Sequence, residues 1–185
     1  MRLILVWCRR FCWLALPASS LGLLALSGTY LYLSPRLPSV EVLREIKLQE
    51  PLRVYSKDGK LIGEFGEMRR TPVHYNQVPP VLIQAILAAE DDRFLQHRGI
   101  DLPSLARAAW ELATTRSIQS GGSTITMQVA RNYFLSRDQT FVRKFNEILL
   151  ALRIERELDK HQILELYLNK IFLGYRAYGV EAAAQ

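Results

Sequence analysis

The feature that most constrains the fold is a nearly unbroken series of helical patterns from Val81 onward. Apolar residues recur there three and four positions apart, the spacing that places them on one face of an α-helix. Polar and glycine-containing stretches separate one pattern from the next. We therefore predict a mostly α fold with these helices: Val81–Asp92, Leu102–Thr115, Thr124–Phe134, Phe141–Leu158, Lys160–Phe172 and one that begins near Val180.

A small β element comes before the helices. The runs Leu52–Tyr55 and Lys60–Phe65 flank a short Lys-Asp-Gly turn sequence, which predicts a β-hairpin. Residues 34–50, which begin with two closely spaced prolines, are predicted to form a linker. Residues 51–185 are then expected to form one domain, incomplete at its C-terminus because the chain stops inside an apparent helix.

Residues 11–33 contain no charged side chain, and Arg2, Arg9 and Arg10 come before them. As a helix this stretch would be about 35 Å long, enough to cross a hydrocarbon core of about 30 Å. Arginines on the amino side favour a cytoplasmic N-terminus, so we predict a cytoplasmic tail at 1–10, a transmembrane anchor and an exported remainder. The alternative is a cleaved signal peptide, whose apolar segment is typically shorter, about 7–15 residues.

The formal net charge of +6 at pH 7 favours anionic partners. Nucleic acid, an anionic lipid surface and a phosphate-bearing substrate all satisfy this condition. Both cysteines, Cys8 and Cys12, lie at the amino end, so the predicted domain has neither a disulfide nor a thiolate site.

An acidic cluster follows the first predicted helix. Glu90 falls on the helical face of Ile83, and Asp91 and Asp92 come directly after it. Negative charge at the carboxyl end of a helix costs about 0.3–1 kcal/mol per charge, which indicates a role other than helix stability. We expect Glu90 to be partly desolvated at the edge of the apolar face and suited to accept a proton. The alternative is that the acids simply solvate a helix end.

Two further segments have both an ordinary and a functional interpretation. Residues 121–123 read Gly-Gly-Ser just before a helix, so Ser123 is either an ordinary N-cap or part of a phosphate-binding helix start. Arg143 and Glu147 are four residues apart, with Lys144 close by. They form either a surface ion pair or a cluster that acts on a substrate.

Four segments together resemble one enzyme family. Residues 90–99 match E-D-x-x-F-x-x-H-x-G, and residues 121–128 match G-x-S-T-I-T-x-Q. Residues 143–147 match R-K-x-x-E, and residues 160–169 match K-x-x-I-L-x-x-Y-L-N. These are motifs of the peptidoglycan glycosyltransferase family, and they occur in family order. That family includes monofunctional transglycosylases and the amino-terminal enzyme domain of class A penicillin-binding proteins.

The resemblance implies a lysozyme-like glycosyltransferase domain that polymerises lipid II and releases undecaprenyl diphosphate. Residues 54–67 and 173–180 are most similar to the 1A group of class A proteins from Gram-negative bacteria. We therefore expect the N-terminal part of a bifunctional enzyme of the inner membrane, with its catalytic domain in the periplasm. Its expected partners are lipid II, the growing lipid-linked glycan, the membrane and cell-wall assembly proteins. No nucleic acid partner is expected.

The resemblance also assigns roles to individual residues. Glu90 is the expected general base, and Glu147 is expected to orient the neighbouring cations or a metal ion. The expected substrate-binding residues are Ser123, Thr124, Gln128, Arg131, Arg143 and Lys144. The expected supporting residues are Asp91, Phe94, His97 and Asn169. A Mg²⁺ or Mn²⁺ ion between carboxylate and diphosphate stays open, and no other cofactor is expected.

Two other functions are compatible with parts of this sequence. A lysozyme-like enzyme that cleaves peptidoglycan would share the fold and the glutamate, but it would not need a cluster of cations. A non-catalytic, membrane-anchored scaffold would need no catalytic residues. Released undecaprenyl diphosphate, as opposed to shortened glycan, would distinguish the polymerase from the lytic enzyme.

We predict that the exported protein retains residues 11–33 as its anchor. Removing them should make the protein more soluble and slow its reaction with membrane-embedded lipid II, because enzyme and substrate would no longer share one plane. Mass spectrometry of the protein purified from membranes should show the intact N-terminus. An N-terminus near Gly28 would identify a cleaved signal peptide instead.

Overall fold

The computed structural model describes the chain in segments. The described residues are 20, 24, 27–44, 51–66, 69–116, 121–136 and 140–185. They belong to two compact units, Met1–Pro38 and Ser39–Gln185. In the first unit, residues 27–33 are helical and lead into a 3-10 turn, Ser34–Arg36. Both cysteines and most of the predicted anchor lie outside the described residues, and no helix within them is long and apolar enough to span a bilayer.

The second unit begins within the predicted linker. Residues Glu41–Arg44 form a 3-10 turn in which Leu43 is buried. The Arg44 guanidinium donates a hydrogen bond to the backbone carbonyl of Glu157 at 2.6 Å. This part of the segment 34–50 therefore contacts the domain.

The described part of the second unit is mostly helical, with small sheets. Its helices are α1 (Pro80–Glu90), α2 (Leu102–Thr115), α3 (Ile125–Phe134), α4 (Phe141–Glu157), α5 (Lys160–Lys170) and α6 (Val180–Ala184). Its strands are β1 (Leu52–Tyr55), β2 (Leu61–Phe65), β3 (Arg69–Arg70) and β4 (Ala177–Tyr178). Strands β1 and β2 form the predicted antiparallel hairpin. The prediction of a mostly α domain that follows a small β element is therefore confirmed.

Local sequence explains where the helices begin. The side chains of Thr124, Thr140 and Asp159 cap α3, α4 and α5, and each accepts a hydrogen bond from a backbone N–H in the first turn. Helices α1 and α2 carry a proline within their first turn. Proline lacks a backbone N–H, and at this position an N–H would have no partner within the helix. These local features set the first residues of the helices that carry the site residues.

The core lies between α3, α4 and α5, with α3 packed against both of the others. Its largest buried apolar side chains are Ile125, Met127, Val129, Leu150, Ile154, Ile163, Tyr167 and Leu168. Burying a single side chain such as Leu or Ile contributes about 1.5–3 kcal/mol, so this packing dominates the stability of the domain.

One strand pairing was not predicted. Strand β3 pairs in parallel with β4, so that Arg70 lies opposite Tyr178. Nearby, the Asn169 side chain exchanges two hydrogen bonds of 2.8 Å with the backbone of Val73. Asn169 thus joins α5 to the segment before α1, across 96 positions of sequence. Periodicity within one segment carries no information about such a contact.

Gly99 allows the loop between α1 and α2 to lie against the backbone of α4. Its φ is +85°, and a Cβ there would come within 2.9 Å of the Ala151 carbonyl oxygen. The Gly99 carbonyl in turn accepts a hydrogen bond of 2.6 Å from the Thr124 hydroxyl at the start of α3. The loop is therefore held at one point by two helices.

We predict that Gly99→Ala lowers the free energy of unfolding by about 2–4 kcal/mol. The left-handed backbone accounts for about 1 kcal/mol of this loss and the contact with Ala151 for the rest. Gly59→Ala is the matched control, because its φ is +80° with nothing within 4 Å. Chemical denaturation followed by circular dichroism measures both. Equal losses in the two variants would show that the approach to α4 tolerates a side chain.

Candidate active site

A cleft of about 760 Å³ lies at the carboxyl end of α1. It is lined by the residues that follow α1, by the beginning of α2, and by the glycine-containing loop before α3 with one face of that helix. It brings together these predicted site residues: Glu90, Asp91, Ser123, Thr124, Gln128 and Arg131. Segments that are separate in the sequence therefore meet around one cleft.

Glu90 is the last residue of α1 and is exposed in the cleft. Its Oε2 accepts a hydrogen bond of 2.8 Å from Nε2 of Gln128 on α3, and its other oxygen has no partner among the described residues. The expectation that the apolar face would partly desolvate Glu90 is wrong. Helix α1 ends at this residue, so the face that buries Ile83 does not continue over it.

Asp91, one residue later, is buried and points to a different helix. Its Oδ2 accepts a hydrogen bond of 3.0 Å from the Ile125 backbone N–H, in the first turn of α3. Its carboxylate also lies 3.0 Å from Nε2 of His97. The negative charge that would be unfavourable at the end of α1 thus sits at a helix start, where the macrodipole favours it. The interpretation that the acids solvate a helix end is therefore wrong for Asp91. Asp92 is exposed, so the interpretation still applies to it.

The loop after Asp91 is braced from several sides. The Phe94 ring is buried and meets the His97 ring edge-on, at a centroid distance of 6.2 Å. The Lys160 ammonium lies 4.3 Å from the centroid of Phe94 and donates to the His97 carbonyl at 2.8 Å. Lys160 was not among the predicted site residues, although it is the first residue of the fourth motif.

Glu147 is completely buried between two cations. Its carboxylate accepts hydrogen bonds from Nη1 of Arg143 at 2.7 Å and from Nζ of Lys144 at 3.1 Å. Lys144 also donates to Oγ of Ser123 at 2.6 Å, which connects this cluster to the cleft. The interpretation of Arg143 and Glu147 as a surface ion pair is therefore wrong. Ser123 is not the N-cap of α3, because Thr124 has that position.

Tyr167 of α5 is buried close to Glu90 and Arg131. Burial, and after it the negative charge of Glu90, raises the pKa of Tyr167 well above its usual range, although the charge of Arg131 opposes this. The phenol is therefore neutral at physiological pH. It packs in the core without adding a second negative charge near Glu90.

No cluster of three or more His, Cys, Asp or Glu side chains within the described residues is placed to hold a metal ion. Both carboxylate oxygens of Glu147 are engaged by Arg143 and Lys144. A Mg²⁺ or Mn²⁺ ion shared between one carboxylate and a diphosphate stays a prediction.

One part of the cleft lining was missed by the sequence analysis. Asp101 is buried just before α2 and accepts hydrogen bonds from Nη2 of Arg93 at 2.6 Å and from Oγ of Ser104 at 2.5 Å. Burial opposes ionisation, but the Ser104 hydrogen bond and the charge of Arg93 outweigh it and hold the pKa of Asp101 below its usual range. The spacing of Asp101 and Ser104 was a visible helix-start signal, whereas nothing in the sequence linked Arg93 to them.

Sequence comparison identifies the family. A family model described as Transglycosylase matches residues 58–185. The chain belongs to the transglycosylase family. The family predicted from the four motifs is thereby confirmed.

This transglycosylase chain is similar to proteins of the 1A group. It is 65% identical over 163 residues to penicillin-binding protein 1A of Pseudomonas aeruginosa, a match that covers 88% of this chain and 20% of that protein. It is 50% identical over 172 residues to penicillin-binding protein 1A of Escherichia coli K12, covering 93% and 20% respectively. The chain thus spans about a fifth of the length of these curated relatives.

A crystal structure of penicillin-binding protein 1A from Haemophilus influenzae also matches. It is 29% identical, and the match covers 76% of this chain and 11% of that chain with a TM-score of 0.23. This score is too low to support a conclusion about the fold.

We predict that Glu147→Gln lowers the free energy of unfolding of this transglycosylase by about 3–5 kcal/mol. The change leaves the Arg143 and Lys144 charges without their counter-charge in a buried site. Glu90→Gln is the matched control, because it removes the same charge from an exposed side chain and should change stability little. Denaturant titration of both variants measures the difference. Equal stabilities would show that the two cations do not depend on Glu147.

Proposed function

We propose that this chain carries the active site of a peptidoglycan glycosyltransferase, which joins lipid II units into glycan strands and releases undecaprenyl diphosphate. The observation that carries the proposal is the position of Glu90. Its exposed carboxylate is held by Gln128 in a cleft that also contains Ser123 and Arg131. The match to the Transglycosylase family model and the similarity of the chain to 1A proteins support the same function.

The reaction needs a base. The 4-hydroxyl of N-acetylglucosamine in the acceptor attacks C1 of the terminal N-acetylmuramic acid in the donor, with inversion at C1. The new bond forms between this oxygen and C1, while the bond from C1 to the diphosphate oxygen breaks and its electron pair leaves with the diphosphate. Glu90 accepts the hydroxyl proton. A positioned general base contributes about 10²–10⁴-fold to such a step.

The leaving group needs cations. Negative charge develops on the diphosphate, and Arg131 of α3 lines the same cleft as Ser123. Lys144 bonds to Ser123 and is fixed by the buried Glu147, as is Arg143. Fixed cations stabilise the departing charge and replace the general acid that a glycosidase requires. Because Asp91 already takes one of the amides at the start of α3, these side chains carry more of this role than the helix start does.

The location of the reaction is part of the same proposal. Residues 11–33 anchor the enzyme in the inner membrane with the catalytic domain in the periplasm, where the lipid tail of the substrate lies in the same bilayer. The uncharged stretch and the arginines before it support this arrangement. A lysozyme-like arrangement of the helices around Glu90 accords with the mostly α domain, and cell-wall assembly proteins are the expected macromolecular partners.

We predict that Glu90→Gln lowers the rate of lipid II polymerisation by about 100-fold or more while the far-ultraviolet circular dichroism spectrum stays unchanged. Glutamine preserves the size of the side chain and a hydrogen bond to Gln128, but it cannot accept the proton. Asp92→Asn removes the same charge from the adjacent part of the cleft and should cost less than about threefold, a difference that separates a base from a general electrostatic effect.

The products distinguish the proposed reaction from its alternative. Released undecaprenyl diphosphate together with lengthened glycan is expected, and shortened glycan would identify a lytic enzyme. Polymerisation by Glu90→Gln at a near wild-type rate would remove Glu90 from the mechanism.

A further inference from the structure

A largely buried ion pair contacts the loop that follows Asp91 and takes no part in the proposed chemistry. Nζ of Lys160, the first residue of α5, lies 2.7 Å from Oε1 of Glu155 on α4. The Glu155 side chain is 6% exposed and the Lys160 side chain 22%. Removing two charges from water is costly, and a pair of apolar side chains of similar volume often stabilises a fold equally well. Stability alone therefore does not account for this ion pair.

Each member of the ion pair holds a different part of the site. Nζ of Lys160 donates a hydrogen bond of 2.8 Å to the His97 carbonyl and lies 4.3 Å from the centroid of the Phe94 ring, so it holds the loop. Oε1 of Glu155 accepts a hydrogen bond of 2.6 Å from the hydroxyl of Thr126, in the first turn of α3. The pair therefore joins the loop to the beginning of α3, and we call Glu155 and Lys160 the clamp.

The clamp joins the same two segments as the carboxylate of Asp91. Asp91 accepts a hydrogen bond from the Ile125 N–H and lies 3.0 Å from Nε2 of His97, so it also connects the loop to the start of α3. His97 takes part in both connections, through its ring to Asp91 and through its carbonyl to Lys160. A single connection leaves rotation about itself, whereas two connections fix the orientation of the segments as well as their distance.

This orientation decides where the base lies. Glu90 directly precedes Asp91, and its hydrogen-bond donor Gln128 is on α3, two residues after Thr126. The two partners of this bond thus belong to the segments next to those that the clamp joins. A displacement of about 1 Å between reacting groups can cost about 100-fold in rate, even when its cause lies far from the chemistry.

We propose that Lys160 and Glu155 are positioning residues for the base, which keep Glu90 in its reactive position by clamping residues 91–99 to α3. This inference rests on the proposed function, because it assigns the clamp a role in the step in which Glu90 accepts a proton. Neither member of the clamp lines the cleft, so the clamp acts through the loop and not by contact with substrate.

Replacing both members at once tests this role without leaving a buried charge unpaired. In the double variant Glu155→Met with Lys160→Met, two apolar side chains fill the same space, so the denaturant midpoint should stay close to that of the wild type. The kcat of lipid II polymerisation should fall by about tenfold or more, because the base is displaced. The KM for lipid II should stay within about twofold, because no contact with substrate is removed.

Two single variants test the connection itself. Thr126→Val removes only the hydrogen bond between the clamp and α3 and keeps the ion pair, so it carries the test even if the double variant fails to fold. It should lower kcat by about fivefold and leave KM unchanged. Lys160→Arg keeps the charge and has donors for both the Glu155 carboxylate and the His97 carbonyl, so its kcat should stay within about threefold of the wild type.

The ion pair of Arg44 with Glu157 supplies the matched control. It lies at the end of the same helix α4 with an N–O distance of 3.4 Å, and both side chains are exposed. Arg44→Met with Glu157→Met should leave kcat and KM within about twofold of the wild type. An equal loss of kcat in this control and in the clamp variant would show that the loss does not depend on the contact with the loop, and the proposal would be wrong.

The Glu90→Gln background separates positioning of the base from a general structural effect. The double Met variant of the clamp should lower the residual rate of Glu90→Gln by less than about twofold, because no base remains to be positioned. A loss of about tenfold in both backgrounds would show that the clamp does not act through Glu90, and the proposal would be wrong. It is also wrong if the folded variants keep their kcat or if only KM rises. Polymerisation by Glu90→Gln alone at a near wild-type rate would instead overturn the proposed function.

Discussion

The carboxylate of Asp91 ties the end of α1 to the start of α3, and the geometry of the cleft depends on this contact. By accepting from the Ile125 N–H and lying against His97, it fixes the point at which α1 stops and the chain turns. Glu90 is one residue before this point, and Gln128 is about one turn into α3. A short bond between Glu90 and Gln128 follows from the anchoring of their neighbours.

The acidic residues of the site differ in whether they are buried or exposed. Asp91 and Glu147 are buried, and hydrogen-bond donors or cations surround their oxygens, so they are fixed acceptors that position other groups. Glu90 is exposed, with one oxygen engaged by Gln128 and the other directed to no described residue. A carboxylate must have a free lone pair to accept a substrate proton, so exposure within a cleft, and not burial, marks the proposed base.

The sequence by itself determined the helices, the hairpin, the family and six of the residues that line the cleft. Apolar spacing fixes which residues share a helix face, and capping side chains such as Thr124 and Asp159 fix where helices begin, so both are local properties. The tertiary structure alone decided that Glu147 and Asp91 are buried while Glu90 is exposed, that β3 pairs with β4, and that Arg93 meets Asp101. Which face of a helix is covered depends on segments far away in the chain, and no periodicity within one segment encodes that contact.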